Sequence, residues 1–318
     1  MAHMLDITNG RAAMAYVGQK PWHGLGQELT PGAGIQEWTE QAGLAYTVNE
    51  SPVLFRNAHA SEPEAFKGRK VLHRSDNGAP LAVVSDGYHV VQPAEVMHFF
   101  ERLADAGGYE LQTAGALSYG RRVWALAKVA KGVEILAGDV VDPYLLLATS
   151  YDGTMATTAK FTSIRVVCNN TITAALGAAG STVKVLHSER FDADRVRQDL
   201  GIVTSEWDRF IIQSRKLAGE PMKAEEADAF VQELLKPYHT AAKDVTQSKA
   251  YRRIMDLFNG RALGSGIPGV AGTRWAALNA VTEMVDHERG RSANTRLESA
   301  WFGTGAALKS KALELLSA

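Results

Sequence analysis

The sequence predicts an α+β protein, in which an antiparallel β-meander sheet with helices on one side is followed by an all-helical C-terminal region. Before about residue 189, strand-like runs joined by short turns recur, and each meander ends in a helical segment. After 183–186 the strand signals stop and amphipathic helical segments follow. We therefore predict a sheet domain at 1–189 and a helical region at 190–318.

The composition is that of an ordinary globular protein. The chain has 318 residues, of which 46% are hydrophobic and 22% are charged, and a formal net charge of -1. Any binding of nucleic acid must therefore use a local basic face, since the whole molecule is no polycation. Because Cys168 is the only cysteine, an intramolecular disulfide and a cysteine-based zinc site are excluded.

Several other function classes find no support in the sequence. No apolar run approaches 20 residues and the N-terminus shows no signal pattern, so we expect a cytoplasmic protein without a membrane span. The histidines show no HxxxH or HxH pair, and no P-loop or strand-to-helix GxGxxG occurs. We expect neither a metal nor a cofactor.

The first meander contains one hairpin and two helices. A Ser-Asp-Asn-Gly turn at 75–78 separates two strand-like runs, and Pro93 stands where it favours the first turn of a helix. The predicted elements are a helix at 34–43, a strand at 44–55, a hairpin of 70–74 with 81–85, and a helix at 93–106.

The second meander ends in the stretch that carries most of the candidate chemistry. A hairpin of 109–117 with 122–130 comes first, and a central hairpin at 144–168 turns at Asp152-Gly153. Asn169, Asn170 and Thr171 follow the second strand, and these residue types are typical helix caps. We predict a helix beginning at this junction.

The helical region is predicted from apolar residues at helical spacing. The segments are 192–218, 224–235, 248–258, 273–288 and 306–316. The glycine-rich stretch 264–272 is predicted to be a flexible connector.

Basic and aromatic residues alternate along the hairpins of the second meander. Cations can follow a phosphate backbone while aromatic rings stack on bases. The candidate phosphate contacts are Lys160 and Arg165, then Arg121, Arg122 and Lys128; the candidate stacking residues are Tyr119, Tyr151 and Phe161. The alternative is a solvated sheet face with no ligand.

Two further features have a structural and a functional interpretation. Trp22 and His23 lie in a glycine-rich loop, which is either an aromatic anchor over the core or a loop with a functional histidine. Cys168 precedes the predicted helix start, where a thiol pKa can be lowered, but a lone cysteine after two valines is also typical of an inert core residue.

Several motifs together resemble the phage/plasmid-like protein family, a bacterial domain of unknown function carried by phages, plasmids and actinobacterial genomes. The resemblance rests on the loop at 16–26, the turn at 149–153 and the junction at 165–171, with C-terminal matches at 274–287 and 301–303. Tyr151 stands where the family pattern has a histidine. The family has no established catalytic residues, and its meander-then-helix order is similar to that of single-strand annealing recombinases.

The resemblance implies an ATP-independent, single-stranded DNA-binding protein of the annealing type. Such a protein would form a homo-oligomeric ring or filament and work with a partner nuclease. One alternative is a hydrolase acting on nucleic acid through His23, Asp152 and Cys168. Another is a protein-binding module of a mobile element.

Overall fold

The computed structural model of the chain describes residues 7–8, 10–18, 25–105, 109–165, 170–172, 182–201, 204–239, 242–290, 296, 299–301 and 303–318. The strands are β1 (Ile7–Thr8), β2 (Arg11–Ala12), β3 (Met14–Val17), β4 (Gln27–Leu29), β5 (Val48–Phe55), β6 (Glu64–Arg74), β7 (Pro80–Ser85), β8 (Glu110–Leu117), β9 (Arg122–Lys128), β10 (Val133–Leu136), β11 (Asp139–Ser150), β12 (Thr157–Arg165), β13 (Asn170–Ile172) and β14 (Thr182–Val185). The helices are α1 (Ile35–Gln41), α2 (Pro93–Asp105), α3 (Ala193–Gly201), α4 (Thr204–Gly219), α5 (Ala224–Leu235), α6 (Ala242–Gln247), α7 (Lys249–Asp256), α8 (Arg274–Glu283) and α9 (Thr304–Ser317).

The main sheet is mixed rather than purely antiparallel. Its strand order is β13-β12-β11-β9-β8-β3-β4, with β10 added beside β11 and β14 beside β12. The pairing of β3 with β4 is parallel, whereas the other pairings of this sheet among the described strands are antiparallel. The α+β class is confirmed, and the prediction of an entirely antiparallel sheet is wrong at this edge.

A second, three-stranded sheet has the order β5-β6-β7 and is antiparallel. Val71 lies opposite both Ser51 and Val83, which confirms the predicted hairpin about the turn at 75–78. The far ends of β5 and β6 continue past the end of β7, since β7 is paired only as far as Arg69. These ends, residues 53–55 of β5 and 64–68 of β6, form a two-stranded arm.

Both faces of the main sheet are covered. Trp124, Leu126 and Leu146 share one apolar cluster with the C-terminal helices. Ala125 and Leu145, which point the opposite way, share a second cluster with α1, α2 and the small sheet. The prediction of helices on one side is therefore wrong, and the central strands read as continuous apolar runs because both of their faces are buried.

The C-terminal helices are tied to the sheet by polar contacts as well as apolar packing. The Trp275 indole donates a hydrogen bond to the Asp139 carboxylate at 2.8 Å, and both residues are buried. In the connector 264–272, Val270 is buried, and the carbonyl of Gly272 accepts a hydrogen bond from the backbone of Met222. The predicted flexible connector is thus packed onto its surroundings, while the predicted boundary near residue 190 stays a prediction.

Most of the predicted helices are confirmed with shifts of a few residues at their ends. The exception in the sheet domain is the junction at Asn170, where the structure has β13 paired with β12 instead of a helix. The predicted helix at 192–218 is described as α3 and α4, with 202–203 outside the described residues. Among the helices that the structure describes, none combines the length and apolarity needed to cross a membrane.

Candidate nucleic-acid interface

The five predicted phosphate contacts do not share one surface. Arg122 lies opposite Ser150 at one end of β9, and Lys128 lies opposite Tyr144 at the other. Arg122 and Lys128 are six positions apart along an extended strand, which places them about 20 Å from each other. The Lys128 ammonium is also 2.8 Å from the Asp142 carboxylate, which offsets its charge. Trp124 and Leu126 lie between Arg122 and Lys128 on the same face of β9 and are buried against the C-terminal helices, so the two cations do not line one continuous groove.

Lys160 faces the helical layer and not an open surface. It lies opposite Leu146 in the β11–β12 ladder, and Leu146 belongs to the cluster shared with the C-terminal helices. Directly paired residues of antiparallel strands project to the same face. Lys160, predicted as a phosphate contact, therefore does not lie on an exposed face of the hairpin, because the C-terminal helices cover this face; the phosphate contact itself stays a prediction.

The other residues predicted around the junction fall largely outside the described part of the chain. Arg165 ends β12, and nothing of its side chain is described. The structure does not describe Trp22, His23, Cys168 or Asn169, so predictions on them stay predictions. For Asn170 and Thr171 only the backbone is described; it is extended in β13, so the predicted helix cap is wrong there.

Two of the three predicted stacking residues are core residues. Tyr151 is 0% exposed, and its hydroxyl donates a hydrogen bond to the Val91 carbonyl at 3.0 Å. Phe161 is buried opposite Leu145, within the apolar cluster that the main sheet shares with α1, α2 and the small sheet. Neither ring can stack on a base, because the layer that includes α2 and the small sheet occupies this face.

Tyr119 is the predicted stacking residue that the structure leaves in solvent. It is 74% exposed and lies in the four-residue loop 118–121 between β8 and β9. Ser118 and Tyr119 have φ angles of 55° and 62°, which place both in the left-handed region. Both angles are those of the primed turns that join antiparallel strands, and the conformation costs about 1–2 kcal/mol for a residue with a side chain.

The loop is held in this conformation by residues of the N-terminal layer, which consists of α1, α2, the small sheet and the segments that join them. The Tyr46 hydroxyl donates a hydrogen bond to the Gly120 carbonyl at 3.2 Å, and the Arg74 guanidinium lies 4.0 Å from the centre of the Tyr46 ring. Gly120 has φ 87°, and a Cβ there would come within 2.9 Å of Arg74 Nη1. Any other residue would be strained by the positive φ and would press on the Arg74 guanidinium, so the position favours glycine, and the packing beneath it presents Tyr119 outward.

The turn between β11 and β12 lies beside this loop. The backbone N–H of Tyr151 donates to the Arg121 carbonyl at 2.8 Å, and Arg122 Nη2 donates to the Thr154 hydroxyl at 2.8 Å. The side chain of Arg121 is exposed and makes no hydrogen bond or ion pair with a residue that the structure describes. We call Tyr119, Arg121, Arg122, Asp152, Gly153 and Thr154 the tip cluster.

Asp152 stays charged within the tip cluster and shapes its turn. Its carboxylate accepts hydrogen bonds from the Thr154 backbone at 3.0 Å and from the Thr154 hydroxyl at 2.5 Å. Burial acts to raise the pKa of Asp152, but these hydrogen bonds and the nearby Arg122 charge outweigh it and hold the pKa below its usual value. Gly153, with φ 71°, completes the turn. Asp152 therefore acts as the hydrogen-bond acceptor that stabilises this turn.

Two buried tyrosines that the sequence did not single out anchor the same turns. The Tyr88 hydroxyl donates to the Ser150 carbonyl at 2.6 Å, and the Tyr88 ring stacks on His187 with ring centres 4.3 Å apart. Tyr46 supports the neighbouring loop. Their partners are 62 and 74 residues away in the chain, so no local pattern could have revealed them.

A catalytic arrangement does not emerge from the described residues. Within the part of the chain that the structure covers, no three His, Cys, Asp or Glu side chains are grouped as a metal site would require. Of the three residues in the hydrolase alternative, only Asp152 is described, so that alternative stays untested.

This geometry defines an α+β protein whose mixed sheet is covered on both faces and whose tip cluster is exposed. The family model of a domain of unknown function, DUF932, matches residues 80–301, which is most of the chain. The chain belongs to that family. No curated protein and no solved structure matches it. The match supports the unknown-function part of the resemblance and gives no link to annealing recombinases.

Proposed function

We propose that the tip cluster binds single-stranded DNA, with Tyr119 stacking on a base and Arg121 contacting a phosphate. The observation that carries the proposal is an exposed aromatic ring held in a strained left-handed conformation beside an exposed arginine with no described partner. Base stacking tolerates any sequence, and an arginine adds a charge contact to the backbone. The interface is small, since only one ring and two guanidinium groups belong to it.

A site of this size binds weakly as a single copy, and we propose that the protein acts as a homo-oligomer. Repeating one weak contact along a strand multiplies the affinity through effective concentration. The proposed activity is ATP-independent annealing of single strands, with a partner nuclease supplying them. This role agrees with a nearly neutral chain, because a local basic tip suffices for each copy.

The direct test is binding of a fluorescent oligothymidylate across a salt series, with mass photometry of the same sample. The double variant Tyr119→Ala, Arg121→Ala should lose most of the affinity, and the salt slope should become shallower by about 0.7 for the lost phosphate contact. Lys128→Ala is the matched control, because that lysine is paired with Asp142 at the other end of β9. Equal affinity of the double variant and the wild type would overturn the proposal.

A second candidate function, binding of a protein partner, has its own observation. The two-stranded arm carries Leu54, Phe55 and Phe66, which are 60%, 43% and 54% exposed, and the two phenylalanine rings meet edge-to-face. Exposed large apolar groups close together mark interaction surfaces. If the arm binds a protein partner, Phe55→Ser with Phe66→Ser will abolish capture of that partner and leave oligothymidylate binding unchanged. A double variant that still captures the partner would dismiss this candidate.

A further inference from the structure

Two lysines lie inside the interface between the main sheet and the C-terminal helices. Lys309 on α9 is 1% exposed, and its ammonium is 2.7 Å from the Asp286 carboxylate. Lys160 on β12 is partly buried and points to the same interface. Buried ammonium groups need compensation, since removing a charge from water costs several kcal/mol even after the surroundings relax.

The surroundings of Lys160 add positive charge instead of compensating it. The Lys160 ammonium makes no hydrogen bond or ion pair within the described part of the chain. Burial, followed by the like charges of Lys309 and Lys184, lowers the pKa of Lys160 to about 8. The nearest strand on its outer side, β14, contributes Lys184 and no carboxylate.

A hydroxyl beside Lys160 is also left without a partner. Thr162 lies two residues further along β12 and therefore on the same face, and it is only 5% exposed. Its Oγ1 is buried and has no hydrogen-bond partner among the residues that the structure describes. A buried hydroxyl without a partner is costly, so native proteins rarely leave one.

The adjoining sequence contains no group that would neutralise this site. The stretch 166–181, which joins β12 to β14, has neither Asp nor Glu. An anion for Lys160 must therefore come from a more distant part of the chain or from outside the protein.

We propose that Lys160 and Thr162 bind a phosphoryl group, supplied either by inorganic phosphate or by the terminal phosphate of a nucleotide. A phosphate dianion accepts hydrogen bonds from both an ammonium and a hydroxyl, and its charge balances a lysine next to the Lys309–Asp286 pair. This site is distinct from the tip cluster, and the inference does not rest on the proposed DNA binding.

Calorimetric titration of the full chain with inorganic phosphate, at constant ionic strength, tests the site. The wild type should show saturable binding, and both Lys160→Met and Thr162→Val should weaken it at least tenfold. Lys311→Met is the matched control, because Lys311 lies on α9 like Lys309 but is exposed and pairs with Glu314; its binding should equal that of the wild type.

The Thr162→Val variant keeps the test decisive even if Lys160→Met does not fold. Valine has the shape of threonine and removes a hydroxyl that has no described partner, so this variant should fold at least as well as the wild type. Adenosine monophosphate, titrated in parallel, separates the two sources: tighter binding than phosphate indicates a nucleotide, and equal binding indicates the free ion. No saturable binding by the wild type, or unchanged binding by Thr162→Val, would overturn the proposal. Retained oligothymidylate binding by Thr162→Val would show that the tip cluster is intact.

Discussion

Replacing Tyr119 by glycine should make the protein more stable and less able to bind DNA. Tyr119 has φ 62°, a conformation that costs about 1–2 kcal/mol for a tyrosine and little for a glycine. Glycine adds backbone freedom to the unfolded chain, which lowers the free energy of unfolding by about 0.5–1 kcal/mol. Because the ring is 74% exposed, its removal loses little packing. We expect Tyr119→Gly to gain about 0.5–1 kcal/mol in the free energy of unfolding, measured by urea denaturation.

The same substitution should weaken binding of oligothymidylate. A base stacked on an aromatic ring contributes about 1–3 kcal/mol, so the dissociation constant should rise by about 5- to 150-fold. Fluorescence anisotropy at low salt measures this change. Tyr119→Phe keeps the ring and should bind like the wild type.

Ser118→Gly is the control that separates strain from recognition. Ser118 has φ 55° in the same loop, so this variant also relieves a left-handed residue, yet it leaves the Tyr119 ring in place. It should gain stability and keep DNA affinity. Base stacking on Tyr119 is refuted if Tyr119→Gly binds as tightly as the wild type, and strain at Tyr119 is refuted if this variant unfolds more easily than the wild type while Ser118→Gly does not.

Three further outcomes follow from buried polar groups. Tyr151→Phe should lower the free energy of unfolding by about 1–2 kcal/mol in urea, since it leaves a buried carbonyl without its donor, and should not change DNA affinity. Trp275→Phe should cost about 1.5–3 kcal/mol in the same assay, because it removes a hydrogen bond to the buried Asp139 carboxylate. Lys160 has a folded pKa of about 8 against an ordinary value of 10.5, so between these pH values the unfolded chain binds more protons than the folded one. Stability of the wild type should therefore rise with pH across this window relative to Lys160→Met, and parallel curves would show that burial does not perturb Lys160.

Local patterns predicted the elements whose signals are short-range. Pro93 with apolar residues at helical spacing predicted α2, and the Ser-Asp-Asn-Gly turn predicted the pairing of β6 with β7. The prediction of a helix start after β12 was wrong at Asn170 and Thr171. Both residues are good helix caps in isolation, but pairing with β12 decides their conformation.

The candidate site was predicted only in part, because exposure is not a local property. Tyr119, Tyr151 and Phe161 are all aromatic residues within the same two hairpins, yet one is in solvent and two are in the core. The difference lies in the N-terminal layer, which contacts the central strands but ends at the loop that carries Tyr119. Residues of that layer are some 60–75 positions away from their partners.

By itself, the sequence determined the α+β class, the hairpin turns and most of the helices, because glycines, prolines and apolar periodicity act on neighbouring residues. Only the tertiary structure decided that both faces of the main sheet are covered, that Lys160 lies inside and that Tyr119 lies outside. These outcomes depend on which distant segments pack against each strand, and packing partners are chosen by the burial of the whole chain.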